Sequence, residues 1–555
     1  MSSGRGGARP VQHDDETAPR GAWLADCRAG VFVFLIALPL CLGIALASGF
    51  PALAGVFTAI VGGVAGFTIS NSALAIKGPA AGLIVIVAGC VADFGGDGAI
   101  GGFSAADLDA YRAALAIGFA AAGLQVVFAL SRGGVLAEFF PSWVVHGMLA
   151  AIGVIIVLKQ LPIALGVEVA GEPLEILLEV PAIISHTNPA IGLIGVVSIG
   201  LMLGWPIAAR RVRALDAVPA PAVVLLFAVP VSVLMGIGDE GRAYTLGGHE
   251  YALDESFLIV VPERVFGMFE AVTTPDFSAL SVPVAWKWVA MFFLIGSLES
   301  LLSAKAIERL DPLGRRTDLD RDMLAVGVGN AAASMVGGLP MISEIVRSRA
   351  NVDEGARTRA ANLWHGVFLL ACVAMIPMVL HLIPLAALAA MLVVVGLRLA
   401  HPREALHAWR VGREQFIAFG ATIIGVLLTD LLIGVAIGIA AKIVTHLAHG
   451  VSIPAMLRCP VEIGDDGTAR VRGAAVFTNW IPLRRRIAAL SREADGSLVV
   501  DFSGASFVDH TTIEKLEAFA ARREADGPSV RIEGLEALRP LAEHPLAARI
   551  RDRGA

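Results

Sequence analysis

Two short stretches combine glycine, proline and small side chains in a way that suits the capture of an anion. They are Lys77-Gly78-Pro79-Ala80-Ala81-Gly82 and Gly337-Gly338-Leu339-Pro340-Met341-Ile342-Ser343-Glu344. Glycine permits unusual backbone angles, and proline suits a helix start, where its missing N–H would be unpaired in any case. If each stretch opens a short helix, the free N–H groups and roughly half a positive charge at its start can hold an anion without an arginine. A blander reading fits the same residues: two interfacial or re-entrant turns that touch no substrate. Glu299 is the second chemical signal, because it interrupts the apolar run 291–303. A carboxylate at membrane depth is costly and marks function by default. Ser303, four residues on, shares its helix face, and the alternative reading of the two is a structural hydrogen bond between helices.

Glu344 stands at the second of these helix starts, where it either bears on coupling or simply stabilises the helix end while facing away. Two unit charges about 6 Å apart at an effective dielectric near 20 repel by roughly 3 kcal/mol. An anion beside Glu299 or Glu344 therefore favours a proton there, and by reciprocity a proton favours the anion. Proton-coupled anion symport is the resulting expectation. Lys77 attracts substrate, pairs with a glutamate, or snorkels to the inner interface. Ser343 either donates to substrate or caps its helix. The anion-binding set is thus Lys77, Gly78, Ala80, Ala81, Ile342 and Ser343, and the coupling candidates are Glu299 and Glu344, with Ser303 added by the family resemblance given below.

The elements that must position these residues are set by composition. The chain has 555 residues, 56% hydrophobic and 17% charged, with a mean hydropathy of +0.73. A soluble domain carries about 25% charged residues, so an ordinary soluble enzyme is excluded. The net charge of −6 gives no basic face for nucleic acid. Five scattered cysteines lack metal-ligand spacing and read as small apolar core residues. No nucleotide loop, nucleophile triad or metal cluster is visible, so neither cofactor nor metal is expected.

Apolar spans fall near 29–48, 51–70, 112–131, 138–159, 190–207, 218–237, 285–306, 321–338, 361–380, 383–399, 414–429 and 431–449. Two pieces, 80–91 and 342–351, are too short to cross about 30 Å of hydrocarbon. That makes fourteen segments, seven on each side of the polar stretch 238–284, each set with a short third member. Such a pattern predicts an inverted repeat with broken helices meeting at the midplane.

Charge supports this topology, since inner loops should be rich in arginine. The predicted inner loops carry Arg210, Arg211 and Arg213; Arg309, Arg315, Arg316 and Arg321; Arg347, Arg349, Arg357 and Arg359; and Arg398, Arg403, Arg410 and Arg413. The predicted outer loops carry Asp93, Asp97, Asp107 and Asp109; Glu168, Glu172, Glu175 and Glu179; and Asp239, Glu240, Glu250, Asp254, Glu255 and Glu263. His146, His365 and His381 read as satisfied core histidines, and Asp430 as a water-facing turn residue.

Residues 1–26 are polar and read as a disordered cytoplasmic lead-in with no cleavable signal, followed by a membrane domain over 27–450. From Val451 to residue 555 charges become frequent and apolar runs shrink. Residues 497–502 and 529–533 read as strands, and 511–525 and 536–551 as helices. This predicts a small cytoplasmic α/β domain.

The opening Ala37-Leu38-Pro39-Leu40 with Ala47-Ser48-Gly49, the Gly78-Pro79 segment and the C-terminal region resemble the sulfate permease family, solute carrier family 26. Asp501-Phe502-Ser503-Gly504 followed by Phe507-Val508-Asp509-His510-Thr511-Thr512 resembles its STAS domain. The resemblance implies a polytopic α-helical membrane protein of 14 segments in a 7+7 inverted repeat. It further implies a core and a gate domain, a homodimer, and elevator-like motion of core against gate. In sodium-coupled bicarbonate transporters of the family an acid and a hydroxyl on the eighth helix hold the cation. Glu299 and Ser303 match that pair, with glutamate in place of aspartate. In phosphorylated STAS relatives a serine follows the aspartate of the Asp-Ser-Ser pattern; here His510 does, leaving Thr511 or Thr512 as the possible acceptor.

The expected function is therefore secondary active transport of a small inorganic oxyanion, sulfate or bicarbonate, coupled to H+ or Na+ at the inner (plasma) membrane. An organic anion such as a dicarboxylate, or a nucleobase, is the alternative substrate. A membrane-tethered signalling module is the alternative of a different class.

Overall fold

The computed structural model describes residues 21–552 except 97–103, 168–170, 172, 213–214, 216–217, 240, 247, 465–466, 494–496 and 527–528. Residues 1–20 of the expected lead-in, and Asp97, Glu168, Glu172, Arg213 and Glu240, lie outside the described residues.

The first half runs α1 (Ala22–Ala47), α2 (Ala52–Thr68), strand β1 (Ile76–Pro79), a 3-10 turn (Ala81–Leu83), α3 (Ile84–Asp93) and α4 (Ala105–Leu130). It continues with α5 (Ser142–Ala164), α6 (Pro173–Ser185), α7 (Pro189–Arg211) and α8 (Ala220–Met235). A hairpin of β2 (Ala243–Leu246) and β3 (His249–Ala252) opens the polar connection. The second half repeats the order: α9 (Pro283–Leu310), α10 (Leu319–Met335), β4 (Met341–Glu344), α11 (Ile345–Asp353) and α12 (Ala360–Met375). Then come α13 (Pro377–His381), α14 (Leu385–Leu399), α15 (Pro402–Val411), α16 (Arg413–Leu428) and α17 (Leu431–Ala448). Among the described residues, seven of these stretches are long and apolar enough to cross a membrane by themselves, and α2, α3, α8 and α12 are shorter apolar helices.

Packing sorts the helices into two bundles. In the first, α1, α2 and α12 pack together, α10 packs on α2 and α4, and α9 packs on α4 and β4. In the second, α5 packs on α14 and α16, α16 on α17, and α7 on α8 and α14. Each bundle therefore takes matching elements from both halves.

The short segments differ from the expected form. Neither helix starts at its glycine–proline motif. Residues 76–79 and 341–344 are extended, and helix begins only at Ala81 and Ile345. The residue before a proline is biased to extended backbone, as Gly78 inside β1 shows, and the chain enters each crossing as a strand. Pro79 stands inside β1.

The C-terminal region contains α18 (Ile453–Leu457), β5 (Val461–Ile463), β6 (Ala469–Val471), β7 (Gly473–Ala475) and α19 (Trp480–Glu493). It goes on through β8 (Leu498–Asp501), β9 (Ala505–Val508), α20 (His510–Asp526), β10 (Val530–Glu533), β11 (Arg539–Pro540) and β12 (Arg549–Ile550). Two four-stranded sheets, β10-β8-β6-β5 and β11-β12-β9-β7, enclose a core that includes Trp480, Ile487, Val500, Phe502, Ile513 and Leu516. The helix expected over 536–551 is absent: a 3-10 turn, bends and two short strands stand there. Pro540 and Pro545 each remove a helix N–H and clash with the preceding turn.

Candidate functional site

Strands β1 and β4 pair antiparallel where the two half-length segments meet. The register is Ile76 opposite Glu344, Lys77 opposite Ser343, Gly78 opposite Ile342 and Pro79 opposite Met341. The two motifs picked out in the sequence thus face each other residue by residue. Backbone polar groups at membrane depth must find partners inside the protein, and four-residue strands leave several over. Side chains from neighbouring helices take them up. Asn330 on α10 accepts from the Met341 N–H at 2.6 Å, donates to the Met341 carbonyl at 3.2 Å and donates to Gln125 on α4 at 2.8 Å. The Ile76 N–H donates to Ser348 at 2.8 Å, and Tyr111 donates to the Gly337 carbonyl at 2.7 Å.

Glu299 reaches the first helix start. Its carboxylate lies against Gly82, where a Cβ would overlap it, and Oε2 has no hydrogen-bond partner. Ala80 is buried and Ala81 half-buried beside it, so both contribute small surface. Ser303 is buried one turn further along α9, and Ile342 is buried opposite Gly78. Glu344 immediately precedes α11 but does not cap it, and its Oε1 is unpartnered.

Arg347, an inner-loop arginine by charge pattern, instead completes this group. It is 1% exposed. Its guanidinium lies against Gly78, where a Cβ would overlap Nη1. Nη1 donates to Cys41 Sγ at 3.4 Å, while Nε and Nη2 have no partner. A signal for it existed: Glu344, Arg347, Ser348 and Asn351 follow i, i+3, i+4, i+7 spacing, one face of a helix. In α11 that polar face turns inward, while Ile345 and Val346 are exposed.

Lys77 does not snorkel and does not meet a glutamate. It is fully buried and donates to Asp322 Oδ1 on α10 at 2.7 Å and to Ser343 Oγ at 2.9 Å. Ser343 in turn donates to Asp322 Oδ2 at 3.0 Å, and Ser70 donates to Asp322 Oδ1 at 2.5 Å. The Ser343 hydroxyl therefore neither caps α11 nor points free toward a substrate. Asp322, which had no place in the sequence reading, is the centre of this network. Lys77 and Asp322 cancel, which leaves Arg347 to balance Glu299, Glu344 and any anion.

The remaining candidates lie elsewhere. His365 is fully buried with neither ring nitrogen partnered, so it is not a satisfied core histidine. His146 is exposed beside Glu404 at 3.1 Å, and His381 Nδ1 lies 2.9 Å from the Ile259 carbonyl. Asp430 accepts from the Ile433 N–H at the start of α17. Thr511 and Thr512 are buried, so neither offers an accessible phosphate acceptor. Among the described residues no three His, Cys, Asp or Glu are grouped to hold a metal ion.

Glu138, between α4 and α5, joins the C-terminal domain to the membrane helices. Its carboxylate accepts from Lys305 on α9 at 3.0 Å, Arg484 at 2.9 Å and Trp480 at 2.9 Å. Its carbonyl accepts from Lys515 on α20. Burial pushes the Glu138 carboxyl up, but Lys305 and Arg484 outweigh it and hold it below the ordinary glutamate value. Burial brings the Lys515 ammonium down to about 8.

The pattern of the sulfate permease family matches residues 24–422. Bicarbonate transporter BicA of Synechocystis sp. is 25% identical over 417 residues, 75% of this chain and 68% of the relative. Sulfate transporter 2.2 of Arabidopsis thaliana is 22% identical over 498 residues, 87% of this chain and 68% of the relative. The structure of murine solute carrier 26 family member A9, described as an anion transporter in the inward-facing state, aligns with a TM-score of 0.65 at 16% identity. That alignment takes in 93% of this chain and 86% of the other. Such coverage requires the C-terminal α/β domain, which fits the expected STAS domain.

Proposed function

The chain belongs to the sulfate permease family, and from that premise we propose that it moves a small inorganic oxyanion, sulfate or bicarbonate, together with protons. One observation carries the reading: among the described residues, the buried Arg347 guanidinium lies against Gly78 at the strand crossing with two unpartnered nitrogens, three residues from Glu344. An unpaired buried charge is costly, so an anion with planar or tetrahedral oxygens is its natural complement.

Charge bookkeeping supports protons as the companion. With Glu299 and Glu344 both ionised, the site sums to one negative charge and repels an anion. With both protonated it sums to one positive charge and matches a monovalent anion. Protons and anion therefore favour each other by thermodynamic reciprocity. Glu299 acts as the principal proton carrier, because its carboxylate has no partnering cation, whereas Glu344 is three residues from Arg347.

Every element of the site belongs to the first bundle: β1, α3, β4, α9 and α11. That distribution supports an elevator-like cycle in which the first bundle slides past the second with its cargo. The C-terminal domain and the ends of α5 and α9 near it would lie in the cytoplasm of a plasma-membrane protein.

The test is uptake of labelled sulfate and bicarbonate into proteoliposomes under imposed gradients. An inward proton gradient should drive uptake in sodium-free medium. Uptake that needs sodium and ignores the proton gradient overturns the reading. Competition with unlabelled dicarboxylates separates inorganic from organic cargo.

A further inference from the structure

We infer that Lys77 supplies, from within the chain, the cation that holds the strand crossing together, so that the crossing is complete with no dissolved cation bound. The inference rests on the proposed reading only in taking the crossing as the transported anion's site.

Three elements converge on the Lys77 ammonium. It rides on β1, bonds Asp322 on α10 at 2.7 Å, and bonds Ser343 on β4 at 2.9 Å. Asp322 is further bound by Ser343 and by Ser70, which precedes β1. Lys77, Asp322, Ser343 and Ser70 are all buried. The pair is thus no surface ornament: among the described residues it is a buried cross-brace whose removal leaves the Asp322 carboxylate with two hydroxyls and without its ammonium. A buried carboxylate stripped of its partner is strongly destabilising.

The contact atoms on the receiving side are all oxygens. An oxygen cluster of net charge −1 accepts any small monovalent cation that fits, whether or not it is attached to the chain. Truncating Lys77 to alanine deletes a three-carbon stem and its ammonium, which is the volume and charge of n-propylammonium. Lys77 is therefore a positioning residue. It fixes the register of β1 on β4, through which Gly78 meets Arg347 and Gly82 meets Glu299, and it touches no anion itself.

The test uses the full-length protein, reconstituted, in three forms: wild type, Lys77→Ala and Lys77→Ala with Asp322→Ala. Anion flux and thermal midpoint are measured in choline medium, then with n-propylammonium or sodium at constant ionic strength. Wild type should be indifferent to the added cation in both readouts. K77A should lose about tenfold or more of its flux in choline and regain a substantial part with n-propylammonium. Its thermal midpoint should rise in parallel. The double variant, with no carboxylate to satisfy, should show no cation response. Because the midpoint needs no transported anion, a failure to carry sulfate or bicarbonate would leave this arm intact. Full flux of K77A in choline overturns the inference. So does a K77A protein whose flux and midpoint ignore every added cation, or one recoverable in no medium at all.

Discussion

The start of α3 and the start of α11 meet across one pair of strands, yet they bring different chemistry to it. The α3 end offers Ala80, Ala81 and Gly82, and the α11 end offers Glu344, Arg347 and Ser348. Backbone geometry is shared, because each segment is a four-residue strand turning into a half-length helix. Side chains divide the labour. The first end supplies room, and its glycines admit the Glu299 carboxylate from α9 and the Arg347 guanidinium from α11. The second end supplies charge. A repeated fold can thus stay symmetric in its main chain while its site is asymmetric, since a charge needs an empty place opposite it at close packing.

Removing charge from the second end should break this division most. Arg347→Gln is expected to lower anion uptake by about a hundredfold, the scale for truncating one member of a buried charged contact. Initial rates at fixed proton gradient measure it, and retention of more than half the flux would contradict the role given to the guanidinium. Filling the room at the first end comes next. Gly82→Ala and Gly78→Ala should each cost about tenfold, by overpacking against a charged group. Gly123→Ala, on α4 with open space where the Cβ would go, is the control expected to leave flux unchanged.

Glu299→Gln sharpens the comparison rather than breaking it. It keeps the shape of the group lodged on Gly82 but removes its proton. Anion exchange should persist within about threefold, while uphill uptake driven by a proton gradient is lost. Equal loss of exchange and of driven uptake would remove the coupling role from Glu299.

The smallest effect is expected farthest from the crossing. Glu138→Ala should loosen the C-terminal domain by about 1–3 kcal/mol, as charged hydrogen bonds to Lys305, Arg484 and Trp480 are lost. Flux should change only a few-fold. Glu138 titrates below its ordinary value in the folded protein. Its contribution is therefore full above the unfolded glutamate value and fades as pH falls through the lowered folded one. Hydrogen exchange in α19 and α20, followed downward from neutral pH, should accelerate only in that acid range, and E138A should abolish the step.

Much of this was legible beforehand. The two glycine–proline motifs lie opposite each other, and Glu299 does reach the first helix start. Apolar length marks membrane segments, and a short third segment in each half is visible as missing length. Other features escaped for identifiable reasons. Helix starts inferred from Pro79 and Pro340 do not hold, because proline also favours extended backbone before it, and pairing of Lys77 with Ser343, 266 residues away in sequence, lies outside local pattern. Ser343 looked like a free donor until its hydroxyl was seen between Lys77 and Asp322.

Arg347 and Arg349 show where sequence stops. Both follow the same short apolar stretch and count equally toward a positive inner loop. Two residues apart on a helix they point to different sides; the spacing groups Arg347 with Ser348 and Asn351, and the packing of α11 on α9 and α1 buries that face. The sequence by itself determined the number and order of membrane segments, the broken third member of each half and the mixed C-terminal domain. Those follow from hydrophobic length and periodicity, which are local quantities. Tertiary structure alone decided which charges meet: Lys77 with Asp322, Arg347 at Gly78, Glu299 at Gly82. Ionic partnership in a low-dielectric interior depends on distances between groups far apart along the chain, and those distances exist only once the two halves have crossed.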